Sequence, residues 1–255
     1  MENFILKYLD IFDATTEGGQ FMATSLPART CPNISIEFPT DGLRARKVIS
    51  RSNAKATGKH PSWKMGRMMH YESVHERNVF RLLDACIDVS SYHEQPCRIS
   101  YVMDGVKRTH YPDVMIVPKG QKELWEIKPN SDEIDPEVAQ RTAFMEQNLP
   151  HLGYGYRLIT GEKLSKSHRL QNASLLLRNG YLPVPAIERE KIRQIFKMDN
   201  NIHWEFFKQD TADRKALGHV CRLILEGKLH IDLENKISNE TKIYSDANFT
   251  GGCAL

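Results

Sequence analysis

The sequence predicts an α/β domain followed by a smaller, mainly helical domain. First, up to about residue 160, strand-like runs rich in Val, Ile and aromatics alternate with segments of helical periodicity. Second, the later segments are short and helical, and Pro183 and Pro185 interrupt them. A chain of 255 residues is long enough for two domains. We therefore expect an N-terminal arm (1–60), an α/β domain (61–165), a helical domain (166–235) and a polar tail (236–255) that is disordered.

Local signals predict the elements of the α/β domain in the order helix, three antiparallel strands, helix and strand. Asp135 followed by Pro136 is an N-cap with proline at the first helical position, which indicates a helix start. Asp104-Gly105 and the segment 118–121 are turn signals that predict hairpins. The expected elements are a helix over 74–87, strands over 98–103, 106–117 and 122–128, a helix over 136–148 and a strand over 154–160.

The register of the second hairpin brings two carboxylates together. With a two-residue loop at 119–120, every cross-strand pair has the same sum of residue numbers, and Asp113 lies opposite Glu126. Lys128 projects from the same face because side chains alternate along a strand. Like charges directly opposed destabilise a strand pair, so we expect a divalent cation or the lysine to hold them. The alternative is an ordinary ion pair on a solvated sheet face.

Glu76 is the third candidate carboxylate. It lies in the middle of the apolar face of the first helix, near Phe80 and Leu83, whereas Asp84 falls on the opposite arc. Burying an unpaired carboxylate is costly, and metal coordination is one way to offset that cost. The alternative is a capping box formed with Ser73, and the two roles are compatible.

These residue types suit phosphodiester hydrolysis assisted by a metal ion. Oxygen ligands favour Mg²⁺, with Mn²⁺ as a substitute, over zinc. We expect Asp113 to bridge the metal ions, with Glu126 and the Ile127 carbonyl completing one shell. Glu76 would bind in the coordination shell of the second metal ion. Lys128 would orient the attacking water and stabilise the phosphate charge. The histidines at 75, 93 and 110 are assigned no role.

A basic segment precedes these residues. The net charge is only +3, but Gly42 to Tyr71 contains eight basic residues and no acidic one. Such a block favours a polyanion such as DNA, and the alternative is a flexible solvated arm. Gln95, close to the strand entry, is a further candidate for ligand contact. The candidate DNA-binding residues are therefore Arg51, Lys55, Lys59, Lys64, Arg67 and Gln95.

Cysteine usage and hydropathy bound the location. The five cysteines are odd in number and form no C-x-x-C pair, which argues for a reducing compartment and against structural zinc or disulfides. The N-terminus lacks the basic and apolar regions of a signal peptide, and no apolar stretch has the length of a membrane span. We expect a soluble, cytoplasmic protein.

The C-terminal half predicts a winged helix-turn-helix. Helices are expected over 187–197, 202–209 and 212–226, and Leu229 to Leu233 alternate as a short strand. The alternative is a helical protein-interaction module, because the basic residues of this region are too few to demand DNA.

The candidate site residues resemble a known nuclease pattern. Glu76 on a helix, Pro112-Asp113 and Glu126-Ile127-Lys128 are similar to the PD-(D/E)xK motif, which implies a restriction-endonuclease-like core with a mixed sheet flanked by helices. Over about residues 60–160 the chain resembles TnsA, the endonuclease subunit of heteromeric transposases. The segments that carry this resemblance are Lys64-Met65-Gly66-Arg67, Tyr71-Glu72-Ser73-Val74-His75-Glu76, Glu94-Gln95-Pro96, His110-Tyr111-Pro112-Asp113 and Leu124-Trp125-Glu126-Ile127-Lys128-Pro129.

The resemblance to TnsA implies a magnesium-dependent endonuclease that cuts the non-transferred strands at the 5′ ends of a transposon. It implies double-stranded transposon ends as substrate and a bacterial, nucleoid-associated location without a membrane. The implied partners are an integrase-type (TnsB-like) transposase subunit, an AAA+ ATPase regulator (TnsC-like) bound by the C-terminal domain and, in comparable elements, an RNA-guided targeting complex. The family pattern does not always keep the acid at the position of Glu126. A solitary restriction or repair nuclease and a catalytically inactive DNA-binding scaffold are the alternatives.

Overall fold

The computed structural model describes residues 33–40, 44–46, 57–118, 120–130, 134–165, 167–208 and 215–250. The described residues form a mixed α/β fold and divide into two compact units. The second unit begins its main stretch at Leu164, close to the expected boundary, but it also includes two earlier segments. The first unit draws on Met1–His60, Met68–Glu76 and Asp88–Lys163, and the second on Pro61–Arg67, Arg77–Ile87 and Leu164–Leu255.

The strands before residue 164 belong to three sheets. They are β1 (Ile34–Glu37), β2 (Gly58–Ser62), β3 (Arg67–Tyr71), β4 (Val89–Glu94), β5 (Arg98–Met103), β6 (Val106–His110), β7 (Val114–Pro118), β8 (Lys122–Lys128) and β9 (Tyr154–Thr160).

The largest sheet of the first unit has the order β4-β7-β8-β9. Its last two strands run parallel, and its other neighbours are antiparallel. A second, antiparallel sheet has the order β1-β5-β6, so part of the expected N-terminal arm is a sheet strand. The strands β2 and β3 pair with each other. The strands β5, β8 and β9 have the bounds predicted from the sequence.

The prediction of one strand over 106–117 is wrong, because these residues form two strands in two different sheets. The ladder of β6 with β5 ends at His110, and β7 begins at Val114. Pro112 between them has no N–H to donate to a ladder, and it restricts the conformation of Tyr111. The break leaves Asp113 at the entrance of β7.

The strands β7 and β8 pair in the predicted register. Val114 lies opposite Trp125, and the next two pairs follow the same sum. The ladder becomes irregular at Asp113, whose amide donates to the Trp125 carbonyl oxygen at 2.9 Å. The regular partner in this register would have been Glu126, so the predicted direct pair of Asp113 and Glu126 is replaced by an offset one.

The first helix, α1 (Val74–Ala85), ends two residues earlier than expected. Phe80 and Leu83 are buried as predicted. The prediction that Asp84 lies on an exposed arc is wrong, since the residue is fully buried and accepts a hydrogen bond from the Ser62 hydroxyl at 2.6 Å. Both sides of this helix are therefore covered, because β2 supplies a polar partner that helical periodicity does not reveal.

The second helix, α2 (Pro136–Asn148), has the bounds that its cap predicted. The Asp135 side chain accepts from the Val138 amide at 2.8 Å and so satisfies a free N–H of the first turn. Met145 of this helix packs with Leu124 of β8 and Ile99 of β5 in one buried cluster. This cluster joins the helix to both sheets of the first unit and holds it beside the end of β8.

The later elements include a small antiparallel sheet, in which β12 (Lys242–Ser245) lies between β10 (Ile202–His203) and β11 (Leu229–Ile231). The helix expected over 187–197 is confirmed, whereas the segment expected as a helix over 202–209 begins with a strand that pairs with β12. The elements are α3 (Gly161–Ser165), α4 (Arg169–Asn179), α5 (Ala186–Met198), β10 (Ile202–His203), α6 (Trp204–Lys208), α7 (Lys215–Leu225), β11 (Leu229–Ile231), β12 (Lys242–Ser245) and α8 (Ala247–Thr250).

The prediction of a disordered polar tail is wrong for residues 242–250. The strand β12 is the central strand of its sheet, and Ile243 is fully buried in the core of the second unit. The polar composition of this region hides it, because one buried isoleucine is enough for a strand this short. Among the described residues, no helix is long and apolar enough to cross a membrane.

Candidate active site

The four residues predicted for catalysis line one cavity of the first unit. The cavity has a volume of about 620 Å³, and its walls include Glu76, Asp113, Glu126 and Lys128 together with Ile127. They come from the first turn of α1, the entrance of β7 and the end of β8. The fold thus brings together carboxylates that are far apart in the chain.

Asp113 is held by the main chain of the neighbouring strand. Its Oδ2 accepts a hydrogen bond from the Ile127 amide at 2.6 Å. Loss of hydration, followed by the negative charges of Glu126 and Glu76, raises the pKa of the Asp113 carboxyl well above its usual range. The ionised form of Asp113 is therefore under electrostatic strain from the two other acids.

Glu126 is compensated by cations. Its Oε1 lies 2.9 Å from Lys128 Nζ and 3.2 Å from Arg141 Nη2. Only 5% of the surface of Glu126 is exposed to solvent, so these charged hydrogen bonds offset the hydration that the carboxylate has lost. Lys128 therefore neutralises Glu126, which agrees with the expectation that the lysine holds the carboxylate pair of Asp113 and Glu126.

Glu76 caps its own helix while it lines the cavity. Its amide donates to the Ser73 hydroxyl oxygen at 3.1 Å, which is the first half of a capping box. Its Oε2 accepts from the Glu72 amide at 2.8 Å, one residue before the position that a capping box uses. Burial is the main cause that raises the pKa of the Glu76 carboxyl. One half of the predicted capping box is therefore confirmed, and these contacts leave lone pairs on the carboxylate for a further ligand.

Three further residues border Glu126 and had no role in the sequence-based expectations. The His110 ring nitrogen Nε2 lies 3.5 Å from Glu126 Oε2 and hydrogen bonds with the Tyr156 hydroxyl at 3.0 Å. Burial lowers the pKa of His110 to about 4, so the ring is neutral at pH 7. Arg141 extends from α2. Only tertiary packing joins these residues, and the sole local signal was the position of His110 beside Tyr111-Pro112.

Arg46 forms another part of the cavity wall, and Gln95 contacts it from outside the wall. Arg46 lines it, with Nη2 2.7 Å from Glu72 Oε2 and Nε donating to Gln95 Oε1. The main-chain amide of Gln95 donates to the main-chain carbonyl oxygen of Asp113 at 2.8 Å. Gln95 was expected to contact DNA, but it is only 1% exposed. Gln95 therefore acts on the cavity through its two partners, Arg46 and Asp113.

The other candidate DNA-binding residues lie outside the cavity walls where they are described. Arg51 and Lys55 lie outside the described residues. Lys59 is exposed on β2 and Arg67 is half-buried on β3. Lys64 has a structural role, since its Nζ donates to the carbonyl oxygens of Leu83 and Cys86 at 2.7 and 2.5 Å. An ammonium group at this end of α1 satisfies free carbonyls and complements the helix dipole.

The donor set of the cavity suits a hard divalent cation in its chemistry. No group of three or more His, Cys, Asp or Glu side chains in the described ranges is gathered closely enough to hold a metal ion as it stands. Asp113 and Glu76, however, form no ion pair with any described residue, and burial together with the charges of Glu126 and Glu76 raises the pKa of Asp113. A divalent cation would relieve this repulsion. Glu126 fits the role of ligand less well, because two cations already share its Oε1.

No protein-family model matches the chain, and no curated protein does.

Proposed function

We propose that the protein is a magnesium-dependent DNA endonuclease of the PD-(D/E)xK type. The observation that carries the proposal is the convergence of Glu76, Asp113, Glu126 and Lys128 on one cavity. Two carboxylates without an ion pair, those of Asp113 and Glu76, beside a lysine suit hydrolysis of a phosphodiester, since the substrate, the attacking water and the leaving oxygen all need charge stabilisation.

The residues divide the work. Asp113 and Glu76, with the Ile127 carbonyl, would hold Mg²⁺ or Mn²⁺, which when bound lowers the charge on the scissile phosphate and stabilises the leaving oxygen. The amide of Ile127 fixes the direction of the Asp113 carboxylate. Lys128, with 28% of its side chain exposed, donates to the attacking water or to a phosphate oxygen. Glu126 keeps the lysine in position.

We further propose that this endonuclease is a TnsA-like subunit that cuts the 5′ ends of a transposon. The support is that three of the five segments similar to TnsA line the cavity, namely those that contain Glu76, Asp113 and Glu126, while the main-chain amide of Gln95 in a fourth binds the Asp113 carbonyl. In this proposal the chain works with a TnsB-like transposase, a TnsC-like ATPase and an RNA-guided targeting complex on bacterial DNA.

We also propose that the second unit is a winged-helix-like domain that binds protein. Its order from α5 to β12, with β12 between β10 and β11, is the order of helices and strands in winged-helix domains. The helix α7 corresponds to the helix that such domains insert into DNA. Here, five of its last six residues are buried, and the Arg222 guanidinium stacks 4.2 Å from the centroid of the Trp63 ring. A helix covered in this way favours the ATPase over DNA as the partner of this unit.

The proposal is tested by cleavage of transposon-end DNA in the complex with the transposase and the ATPase. The chain is expected to nick the 5′ ends with Mg²⁺, and Asp113→Asn is expected to abolish nicking. Asp104→Asn is the matched control, since Asp104 lies in an exposed turn outside the cavity and asparagine tolerates its φ of 55°. Nicking by Asp113→Asn at the parent rate would overturn the proposal. Efficient cutting by the isolated chain would favour a solitary nuclease.

A further inference from the structure

Arg141 lies in the cavity wall but belongs to none of the motif segments. It is in the second turn of α2, whose start is fixed by the Asp135 cap and whose buried Met145 anchors the helix in the core. Its side chain is 17% exposed. The guanidinium is therefore held by a rigid element rather than by a loop.

The contacts of Arg141 with the side chains of Glu126 and Tyr156 use only part of its hydrogen-bonding capacity. A guanidinium has five N–H donors in a planar fork. Nη2 donates to Glu126 Oε1 at 3.2 Å, while Nε is buried and has no hydrogen-bond partner among the described residues. Natural structures rarely leave buried donors without partners, so such a donor beside a cavity points to a ligand.

Neutralising Glu126 does not by itself require Arg141. Lys128 already lies closer to the same oxygen, at 2.9 Å against 3.2 Å. The other oxygen lies 3.5 Å from the His110 ring nitrogen Nε2. One carboxylate thus faces two full cations, and with a divalent cation held by Asp113 and Glu76 this part of the cavity would carry a surplus positive charge. An anion is the ligand that such a surplus suits.

We propose that Arg141 binds a phosphate of the DNA backbone in this cavity, with Glu126 aiming its guanidinium. This inference rests on the proposed endonuclease function and adds a substrate-binding residue to it. A planar fork matches two oxygens of one phosphate, which a lysine cannot do. When Arg141 turns its donors to the phosphate, Lys128 remains to neutralise Glu126.

The test measures binding of a short transposon-end duplex to the full chain with Ca²⁺ in place of Mg²⁺, so that affinity is read without turnover. Arg141→Lys keeps a cation for Glu126 but removes the fork, and Arg141→Met removes both. Arg108→Lys is the matched control, because Arg108 pairs with Glu137 of the same helix at 2.7 Å and lies outside the cavity.

The expected result is about tenfold weaker binding by Arg141→Lys, and a salt dependence of binding lower by about one phosphate contact for Arg141→Met. Arg108→Lys should bind as the parent does. A single methylphosphonate that replaces the contacted phosphate should weaken binding to the parent, and it should have no further effect on Arg141→Met.

The outcomes separate this inference from the function beneath it. If both Arg141 variants bind like the parent, or if Arg108→Lys loses as much affinity as Arg141→Lys, the role of Arg141 is overturned and the endonuclease proposal stands. If the parent neither binds nor cuts the duplex, both are overturned. Thermal unfolding of Arg141→Lys should match the parent, and a weaker fold that accounts for the lost affinity counts against the role.

Discussion

The Ile127 amide donates to the Asp113 side chain at 2.6 Å, across the junction between β7 and β8. A main-chain donor cannot rotate away, so this bond fixes the carboxylate direction as firmly as the sheet fixes the strand. It also shows how the break at Pro112 is used: an aspartate at the start of a strand can bond to the neighbouring strand with its side chain.

Replacing Asp113 with asparagine should abolish cleavage and stabilise the fold. The amide oxygen of the new side chain can still accept from Ile127, while the charge that Glu126 and Glu76 repel is lost. We expect the melting temperature of the metal-free chain to rise by roughly 2 to 4 °C, as for a gain of about 1 kcal/mol in a protein of this size. Differential scanning calorimetry at pH 7 checks it, and a lower melting temperature contradicts it.

Divalent cations should stabilise the parent through Asp113. Ca²⁺ is expected to raise the melting temperature without supporting cleavage, because a ligand that binds the native state alone stabilises it. The Asp113→Asn variant should show no such rise, whereas Asp104→Asn should respond like the parent. Cleavage with Mg²⁺ or Mn²⁺ should stop in excess chelator, and activity that persists there would exclude the metal mechanism.

Replacing Lys128 with methionine should lower the cleavage rate by roughly 10²- to 10³-fold, the loss typical of removing one electrostatic group from an active site. Arg141 remains to neutralise Glu126, so unfolding should change little. Lys122 lies at the exposed start of the same strand, and Lys122→Met is therefore the matched control. Equal rates for the two variants, measured in single-turnover assays, would remove Lys128 from the mechanism.

Acidification should destabilise the metal-free chain through His110. Burial lowers the pKa of His110 from 6.5 to about 4, so the unfolded chain binds a proton in this range and the folded chain does not. The contribution of His110 is fully present above pH 6.5, and up to roughly 3 kcal/mol is lost as the pH falls to 4. Urea unfolding across this range should show a shallower loss for His110→Gln, and an unchanged loss contradicts the assignment.

Lys64 and Lys59 should separate stability from DNA binding. Lys64→Met removes the ammonium that binds two carbonyl oxygens at the end of α1, so we expect about 1 kcal/mol of destabilisation. Lys59→Met should leave the free energy of unfolding unchanged and lower the salt dependence of DNA binding by about one contact. Urea unfolding and binding at several salt concentrations measure both. Parent-like unfolding of Lys64→Met would refute the capping role.

Sequence signals predicted the elements that depend on local chemistry. The cap at Asp135 with Pro136 predicted both ends of α2, since capping and proline geometry act within one turn. The loop length at 119–120 predicted the register of β7 and β8, although Lys119 itself lies outside the described residues. The carboxylates and Lys128 could be found because a charge in an otherwise apolar pattern stands out.

Features that depend on tertiary contacts could not be predicted in this way. Asp84 is buried because Ser62, 22 residues earlier, supplies a partner. Arg141 occupies an ordinary position on a helix, and only the packing of that helix directs it to Glu126. The high strand propensity of residues 106–117 predicted one continuous strand, although Pro112 divides it. A single sequence carries no sign of which distant segment will complete such a contact.

The order of β10-β12-β11 has a consequence for the time at which the second unit can form during synthesis. Both outer strands precede β12 in the chain, and both depend on it for every hydrogen bond of their ladders. Until residue 245 has left the ribosome, Ile202 and Ile231 have no strand to pair with, and the core around Ile243 stays open. The last strand of the first unit ends at Thr160. Its cavity can therefore form before the central strand of the second unit has been synthesised.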